Sequence, residues 1–579
     1  MMELKYSEIL KLNKELENNL KSSSYDITVL SNIIVQQGKE ILEYPLRSQG
    51  INANVEFGDY DNIVQDSQKY KNSKSVIIFW ELCNIIDGFQ YKAELLENYQ
   101  LDAILEKTKS EVDLVLKNLE KTSLVLINKF TALSFSHYKF RKNKLDELAS
   151  QLNLYLEEKI SINVRLLDIE KVIASIGVSN SLDMRYYYSS KALYTIDFFK
   201  TYANYIAPFF ISANGKAKKA LIFDCDNTLW KGILGEDGFD NIEMSTGSKD
   251  GNIFAEIQSI ALALNRQGVL IGLCSKNNPG DVDEVIKSHP DMQFRDEHIT
   301  INKSNWSNKV TNLKEIATEL NIGLDSLVFV DDSSFEVNLI KEQLPEITVL
   351  QVPERLYEYP KMLRENLGLF YNLSLTAEDS KKIEMYKHLV KRESIKKEFT
   401  DIEDYLSSLE LKITFFENDE LIIPRMSQMS QKTNQFNLTT NRYTESDIRS
   451  FIEDFNSNVI AISVADKFGD SGITGLCIVS INNDTNIAEI DTFLMSCRVI
   501  GRNIEYVFMD YIIEKIEEKN IKSVYAKYIR TSKNAQVKHF YENCSFDFKE
   551  STDSGKNYSL DINNYISKKI NYIEVINGN

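Results

Sequence analysis

The feature that most constrains this chain is an apolar run that ends abruptly in two acidic residues. Leu221–Phe223 is followed at once by Asp224, Asp226 and Thr228. Alternate residues of a strand point to the same side, so Asp224 and Asp226 are predicted to project together. Two carboxylates at the end of a buried strand need compensation, and a hard divalent cation such as Mg²⁺ provides it. An ordinary Asp/Asn turn is the alternative interpretation.

Three further elements follow in order and favour a single site. Ser275 closes a second apolar run, Lys309 begins a helical pattern, and Asp331 and Asp332 end a third apolar run. Ligands collect beyond the carboxyl ends of strands in open parallel sheets. Together the elements predict phosphoryl transfer. One carboxylate attacks phosphorus and a second moves a proton, while a hydroxyl and an ammonium hold the phosphoryl oxygens and the last acids hold Mg²⁺.

This order of motifs resembles the haloacid dehalogenase (HAD) superfamily. The resemblance implies that Asp224 is the nucleophile and Asp226 the general acid and base. It also implies that Thr228 and Ser275 position the phosphoryl group and that Lys309 neutralises it. The implied ligands of Mg²⁺ are Asp224, Asp226, Asp331 and Asp332.

Longer stretches are similar to FkbH-like proteins. The stretch Asp224–Gly238 matches their signature, as do Cys274–Asn278 and Phe329–Asp332. Three later blocks match as well: Lys432–Thr440, Asp466–Asp470 and Met495–Arg502. The chain departs from the family pattern at Lys231, where Gly is usual, and at Ser333-Ser334, where Asn-Pro is usual. Both departures lie beside the site and bear on substrate preference.

The resemblance implies a function in polyketide-type biosynthesis. FkbH-like enzymes take a glyceryl group from 1,3-bisphosphoglycerate, remove phosphate and load the group as a thioester on an acyl carrier protein. Only about 45 residues separate the first two motifs, which leaves no room for a large cap and suits a bulky carrier. Two alternatives stay open: a plain Mg²⁺-dependent phosphatase acting on a small phosphate ester, and a non-catalytic assembly scaffold.

Three cysteines are candidates for the thiol that accepts the acyl group. Cys274 adjoins Ser275 and lies near Lys276, a setting expected to favour thiolate. Cys497 lies beside Arg498, whereas the thiolate of Cys225, between two acids, is expected to be disfavoured. The alternative is that no cysteine has a covalent role and that these residues are small, buried and apolar.

The predicted fold class is a multidomain α/β protein. Residues 1–213 are predicted to form an α/β domain, which the resemblance to FkbH-like proteins implies is SGNH-like, and 214–372 a HAD-like Rossmannoid parallel sheet without a large cap. Residues 373–405 read as a helical connector, and 406–579 as an α+β GNAT-like domain. In the first domain Ser31 occupies the expected nucleophile position, but its Gly-Asp partner residues are absent. Because His137 is the only histidine before position 289, this domain is predicted to be non-catalytic.

The last domain carries a loop similar to the pyrophosphate-binding loop of GNAT-like acyltransferases. The resemblance implies that Arg498, Gly501 and Arg502 bind a phosphopantetheine arm, whose phosphate Arg498, Arg502 and Arg530 could contact. Asn503 replaces the usual small residue, which argues against coenzyme A itself. Tyr541 is a candidate acid for a leaving thiolate, or alternatively a core residue.

Charge and cysteine usage narrow the partners and the compartment. The formal charge of −18 disfavours general binding of nucleic acid. Six scattered cysteines without paired spacing indicate a reducing compartment, and no apolar run reaches 18 residues. The chain is therefore predicted to be cytoplasmic, with no membrane partner.

Overall fold

The computed structural model describes residues 4–20, 23–133, 135, 142–373, 377–396, 399, 401–483, 485–531, 533–552 and 554–577. The chain divides into two compact units, one up to residue 214 and one from residue 215 onward. His137, considered above as a catalytic base, lies outside the described residues. Within the described part of the chain, no helix combines the length and apolarity needed to cross a lipid bilayer.

The first unit is a five-stranded parallel sheet flanked by helices. Its strands are β1 (Tyr25–Ser31), β2 (Ala53–Phe57), β3 (Ser75–Phe79), β4 (Leu124–Asn128) and β5 (Val164–Leu167), in the spatial order β2-β1-β3-β4-β5. Its helices are α1 (Tyr6–Asn19), α2 (Lys39–Arg47), α3 (Ile63–Lys69), α4 (Phe89–Lys92), α5 (Asn98–Asn118), α6 (Lys144–Lys159), α7 (Ile169–Ile176), α8 (Val178–Ser181), α9 (Met184–Ser190) and α10 (Ile196–Ala213). Every residue of β3 and β4 is buried, as expected for parallel strands covered on both faces.

The second unit begins with another five-stranded parallel sheet. Its strands are β6 (Ala220–Phe223), β7 (Leu270–Ser275), β8 (Ile299–Ser304), β9 (Leu327–Asp331) and β10 (Thr348–Gln351), in the spatial order β10-β9-β6-β7-β8. The accompanying helices are α11 (Leu234–Asp237), α12 (Gly251–Arg266), α13 (Pro279–Ser288), α14 (Lys309–Glu319), α15 (Ser334–Gln343) and α16 (Tyr359–Glu365). Strands β6, β7 and β9 are neighbours, so their carboxyl ends meet at one edge of the sheet.

The rest of the second unit is built on a mostly antiparallel nine-stranded sheet. Its strands are β11 (Leu411–Glu417), β12 (Phe436–Asn437), β13 (Ser457–Asp466), β14 (Gly469–Asn482), β15 (Ile487–Met495), β16 (Ser523–Ile529), β17 (Asp547–Thr552), β18 (Gly555–Asp561) and β19 (Ile573–Asn577). The helices are α17 (Ala377–Lys396), α18 (Ile402–Ser407), α19 (Ile423–Lys432), α20 (Glu445–Glu453), α21 (Ile504–Glu518) and α22 (Phe540–Asn543). The path through the sheet is β17-β18-β16-β15-β14-β13-β11-β19, and β12 pairs with β15.

Strands β15 and β16 are parallel and pair only over Ile487–Ile490 of β15. Beyond that point they separate, and β12 lies in the gap. Phe436 and Asn437 pair with the end of β15, and Leu438 bonds to Phe493 on one side and to Ile529 on the other. The gap between β15 and β16 is therefore occupied by a segment of the same chain. The predicted α/β fold class is confirmed, including the absence of a large insertion between the first two site motifs.

Candidate active site

Four side chains meet where β6 and β9 end. Oxygen atoms of Asp224, Asp331 and Asp332 all lie within 4.8 Å of one another. The ammonium of Lys309 is 3.0 Å from Asp224 Oδ1 and 2.7 Å from Asp331 Oδ2. Parallel pairing of β6 with β9 places Phe223 opposite Val330, so the acids that follow emerge side by side. These three carboxylates form a group that could hold a metal ion.

Helix α14 positions the ammonium. Lys309 is the first residue of this helix, and Asn308 caps it by accepting a hydrogen bond from the Val310 N–H at 2.8 Å. The Lys309 side chain is 5% exposed and reaches back to the sheet edge. Burial disfavours its charge, but Asp224 and Asp331 more than offset that effect, so the pKa of Lys309 lies above its usual value. Lys309 is therefore a fixed cation of the site.

The ammonium of Lys309 balances only part of the negative charge of the three acids. Burial raises the pKa of Asp224, and the carboxylate of Asp331 raises it further against the opposing effect of Lys309. The pKa values of Asp331 and Asp332 are raised for the same first reason, loss of solvent. Three carboxylates and one ammonium leave an excess of two negative charges in a largely buried cluster. A divalent cation matches that excess.

Asp226 lies beside this cluster and is held by three donors. Its Oδ1 accepts hydrogen bonds from Trp230 Nε1 at 3.0 Å and from the Leu234 N–H at 2.9 Å. Its Oδ2 accepts from Asn277 Nδ2 at 2.9 Å. The Asp226 carboxylate is not part of the three-acid group, and the expectation that Asp226 is a metal ligand stays a prediction. Its oxygens are already engaged by three donors, which fix the orientation of the carboxylate.

The two predicted hydroxyls have different surroundings. Ser275 is buried and hydrogen-bonds to Asp224, which lowers the pKa of that carboxyl. Ser275 Oγ also accepts from Asn277 Nδ2 at 3.1 Å. Thr228 is fully buried, and its Oγ1 has no hydrogen-bond partner within the part of the chain that the structure describes. Its carbonyl accepts from Tyr359 Oη at 3.2 Å.

The motifs also contain functional residues to which the sequence analysis gave no role. Asn277 follows Ser275 by two positions, so strand alternation was a usable signal that both point to the site. Trp230 had no such signal. It reaches Asp226 because Asn227 adopts a left-handed conformation (φ 51°) that turns the chain back.

Cys274 does not have the predicted thiolate environment. Its side chain is fully buried in a cluster with Ile222, Phe329 and other apolar residues, and burial raises its pKa. The ammonium of Lys276 is engaged by Glu336 at 2.7 Å. The expectation that Lys276 activates Cys274 is therefore corrected. Burial also raises the pKa of Cys225 well above its usual value, in agreement with the prediction.

The residues proposed for the phosphopantetheine arm do not form one site. Arg502 is bound to Asp466 at 3.1 Å, a carboxylate that it shares with Arg392, and donates to the Arg498 carbonyl at 2.6 Å, so its guanidinium already has protein partners. Gly501, with φ 82°, only turns the chain before α21. Arg498 is buried and donates from Nε to Ser496 Oγ at 3.2 Å.

Tyr541 is a core residue rather than an exposed acid. It is 1% exposed and packs against the rings of Phe540, Phe546 and Tyr558. Its hydroxyl has no hydrogen-bond partner among the described residues, and burial raises its pKa well above the usual value. The core-packing alternative therefore holds for Tyr541.

Ser31 of the first unit participates in a local turn. Its hydroxyl donates to the Ile33 carbonyl at 2.8 Å, and the Ile33 N–H returns a bond at 3.1 Å. The prediction that this unit is non-catalytic stays a prediction.

No protein-family model matches the chain, and no curated protein matches it. Among solved structures, it is similar to the N-terminal part of the protein BF1531 from Bacteroides fragilis, which contains a phosphatase domain and was crystallised with Mg. The TM-score is 0.54 with 24% identity, over 63% of this chain and 99% of that one. A second similar structure is the ribosomal-protein-S18-alanine N-acetyltransferase of Escherichia coli. Its TM-score is 0.21 with 12% identity, over 26% of this chain and 94% of that one. The likeness to the BF1531 structure shows a shared fold.

Proposed function

We propose that this protein is a Mg²⁺-dependent enzyme of phosphoryl-group chemistry whose nucleophile is Asp224. The observation that carries the proposal is the group of three carboxylates within 4.8 Å, facing a single buried ammonium. The carboxylates supply the oxygen ligands that Mg²⁺ prefers, and the ion supplies the double positive charge that the group lacks. The fold shared with a phosphatase-containing structure that was crystallised with Mg supports the proposal.

The residues of the cluster would divide the work. Asp224, Asp331 and Asp332 would hold the ion. When bound, Mg²⁺ polarises a phosphoryl oxygen of the substrate. Lys309 contributes a fixed positive charge beside the attacking carboxylate, and Ser275 orients that carboxylate through a hydrogen bond. Both contributions are in place before substrate binds, which lowers the reorganisation that the transition state requires.

The reaction then proceeds in two displacements. An oxygen of Asp224 attacks phosphorus, the bond from phosphorus to the leaving oxygen breaks, and protonated Asp226 gives its proton to that oxygen. Ionised Asp226 next takes a proton from water, whose oxygen attacks the phosphorus of the aspartyl phosphate. Inorganic phosphate leaves, and Asp224 and protonated Asp226 are regenerated. Donors from Trp230, Leu234 and Asn277 keep Asp226 in place through both steps.

The more specific function is glyceryl transfer from 1,3-bisphosphoglycerate to an acyl carrier protein. It is supported by the similarity of the sequence blocks to FkbH-like proteins. The plain phosphatase is the alternative that the same acidic site would serve. A silent scaffold is disfavoured because it gives no reason to gather three carboxylates, two of them buried, around one ammonium.

Mass spectrometry of the full-length protein separates these functions. The protein is incubated with 1,3-bisphosphoglycerate, Mg²⁺ and holo-carrier protein, and phosphate release is followed in parallel. Phosphate release with a glyceryl adduct supports transfer, release alone supports the phosphatase, and neither supports the scaffold. Asp224→Asn or chelation of Mg²⁺ is expected to abolish phosphate release, whereas Asp240→Asn, which changes an exposed acid nearby, should not. Full release by Asp224→Asn would contradict the proposal.

A further inference from the structure

A large cavity lies in the second unit, away from the acidic site. It has a volume of about 590 Å³. Lys219 and Ser326, which line it, come directly before β6 and β9, whereas Asp224 and Asp332 come directly after these strands. The five residue steps from Lys219 to Asp224 span roughly 16 Å in a strand. The cavity therefore opens at the amino ends of the same strands whose carboxyl ends carry the candidate active site.

The lining of the cavity is strongly cationic. It contains six basic side chains and two carboxylates, in a chain whose net charge is −18. The basic residues are Lys219, Lys382, Arg425, Lys432, Arg498 and Lys533. One of the two acids, Asp325, already forms an ion pair with Lys533. This concentration of basic residues is local and contrasts with the acidic composition of the chain as a whole.

Arg498 is the most telling member of the lining. Its residue is 6% exposed, and its side chain donates to Ser496 Oγ and to Met385 Sδ. Neither partner is charged, and within the described residues no carboxylate forms an ion pair with it. A buried guanidinium without an anion is costly, and an anionic ligand removes that cost. Arg502, four residues on, shows the contrast, because its guanidinium is paired with Asp466.

Lys218, which precedes the cavity-lining Lys219, shows how burial disfavours a positive charge in this region. Burial lowers the pKa of Lys218 to about 8, and the ammonium of Lys533 lowers it further against the opposing effect of Asp325. A dianion would compensate buried cations such as Arg498 more effectively than a single carboxylate. Phosphate esters carry between one and a half and two negative charges near pH 7 and accept several hydrogen bonds at once.

We propose that this cavity is a second, anion-binding site that takes a small molecule carrying a phosphate group. The site is separate from Asp224 and does not depend on the phosphoryl chemistry proposed there. Its ligand is either a free phosphate ester or a phosphopantetheine group, which share the recognised phosphate. Both fit a cavity of this size, and the experiment below distinguishes them.

Alkylation of Cys497 can report whether a ligand occupies the cavity. All six cysteines are among the described residues, and Cys497, which lines the cavity, is the one that is partly exposed while the other five are buried. Alkylation of Cys497 in the full-length protein, followed by mass spectrometry, therefore measures whether the cavity is occupied. The probes are inorganic phosphate, pyrophosphate and coenzyme A, each without Mg²⁺ and compared with sodium chloride at equal ionic strength.

We expect at least one probe to slow alkylation of Cys497 about fivefold or more in a saturable way. Arg498→Met should weaken this protection tenfold or more, and Lys219→Gln should weaken it as well. Lys361→Gln, an exposed lysine on α16, should leave it unchanged. Should Arg498→Met fail to fold, Lys219→Gln alone decides.

Tighter protection by coenzyme A than by pyrophosphate would assign a phosphopantetheine ligand, and equal protection a free phosphate ester. The proposal is overturned if no probe protects Cys497. It is also overturned if sodium chloride protects equally, or if protection is undiminished in both cavity variants.

Discussion

Asn277 donates a hydrogen bond from Nδ2 to Oδ2 of Asp226 over 2.9 Å. This bond is the only one of the three holding Asp226, within the described residues, that comes from a different strand end. We expect Asn277→Ala to lower kcat for phosphate release by about tenfold to hundredfold, because the proton carrier loses its alignment. Steady-state kinetics with p-nitrophenyl phosphate measures the effect.

The neighbouring Asn278 provides the matched control. It is exposed, and its side chain contacts Trp306 and Asp281 rather than the acidic site. Asn278→Ala should keep the wild-type kcat. A wild-type kcat in Asn277→Ala would show that Asp226 needs no support from β7.

The ammonium of Lys309 is also expected to stabilise the folded protein. Lys309→Met leaves Asp224 and Asp331 buried without their partner, which costs about 3–5 kcal/mol of unfolding free energy in Mg²⁺-free buffer. Added Mg²⁺ should raise the melting temperature of Lys309→Met more than that of the wild type, since the ion neutralises the same carboxylates. Differential scanning fluorimetry with and without Mg²⁺ tests both statements.

Lys361→Met is the control for this experiment, because its ammonium is exposed and 3.8 Å from Glu365. A surface pair of that kind contributes less than about 1 kcal/mol. Equal melting temperatures for Lys309→Met and Lys361→Met would contradict the role given to Lys309.

The first unit should lose stability as the pH rises. Burial raises the pKa of Glu81 from 4.5 to about 7, against the opposing effect of a hydrogen bond with Tyr194. The folded state therefore holds the proton more tightly than the unfolded state, and stability falls between pH 4.5 and 7. Glu81→Gln removes this loss and should stabilise the unit by roughly 3 kcal/mol at pH 8, but not below pH 4.5.

Hydrogen exchange of peptides from β3, compared between variant and wild type at each pH, reads out this effect. Glu106→Gln changes an exposed acid and should leave exchange unaltered at both pH values. If Glu81→Gln gave no added protection at pH 8, the buried carboxyl would have to be compensated in another way.

Two tyrosines of the last domain form a matched pair. The hydroxyl of Tyr541 is buried without a partner among the described residues, so Tyr541→Phe should be neutral or stabilising. The Tyr528 hydroxyl bonds to Asn534 Oδ1 at 3.1 Å, so Tyr528→Phe should cost about 1 kcal/mol. Thermal unfolding compares the two. Loss of carrier loading in Tyr541→Phe alone would restore its role as an acid.

The sequence predicted those parts of the site that follow from strand geometry. Asp224 and Asp331 each end an apolar run, and parallel pairing of the two strands is enough to bring them together. The parts of the site that depend on residues far away in the sequence could not be predicted. Arg502 is paired with Asp466, 36 positions earlier in the chain, and nothing in the local sequence pattern indicates that pairing. The same holds for Cys274, whose burial is set by residues from several elements.

The short strand β12 has a mechanical consequence. The backbone of Leu438 hydrogen-bonds to Phe493 of β15 and to Ile529 of β16. This residue therefore connects the two strands where they separate. A ligand binding in extended form along the edge of β15 would first have to displace Phe436–Leu438 and break hydrogen bonds on both sides of this segment. The gap between β15 and β16 is thus closed by the protein's own backbone, whereas Cys497 lies in the lining of the open basic cavity.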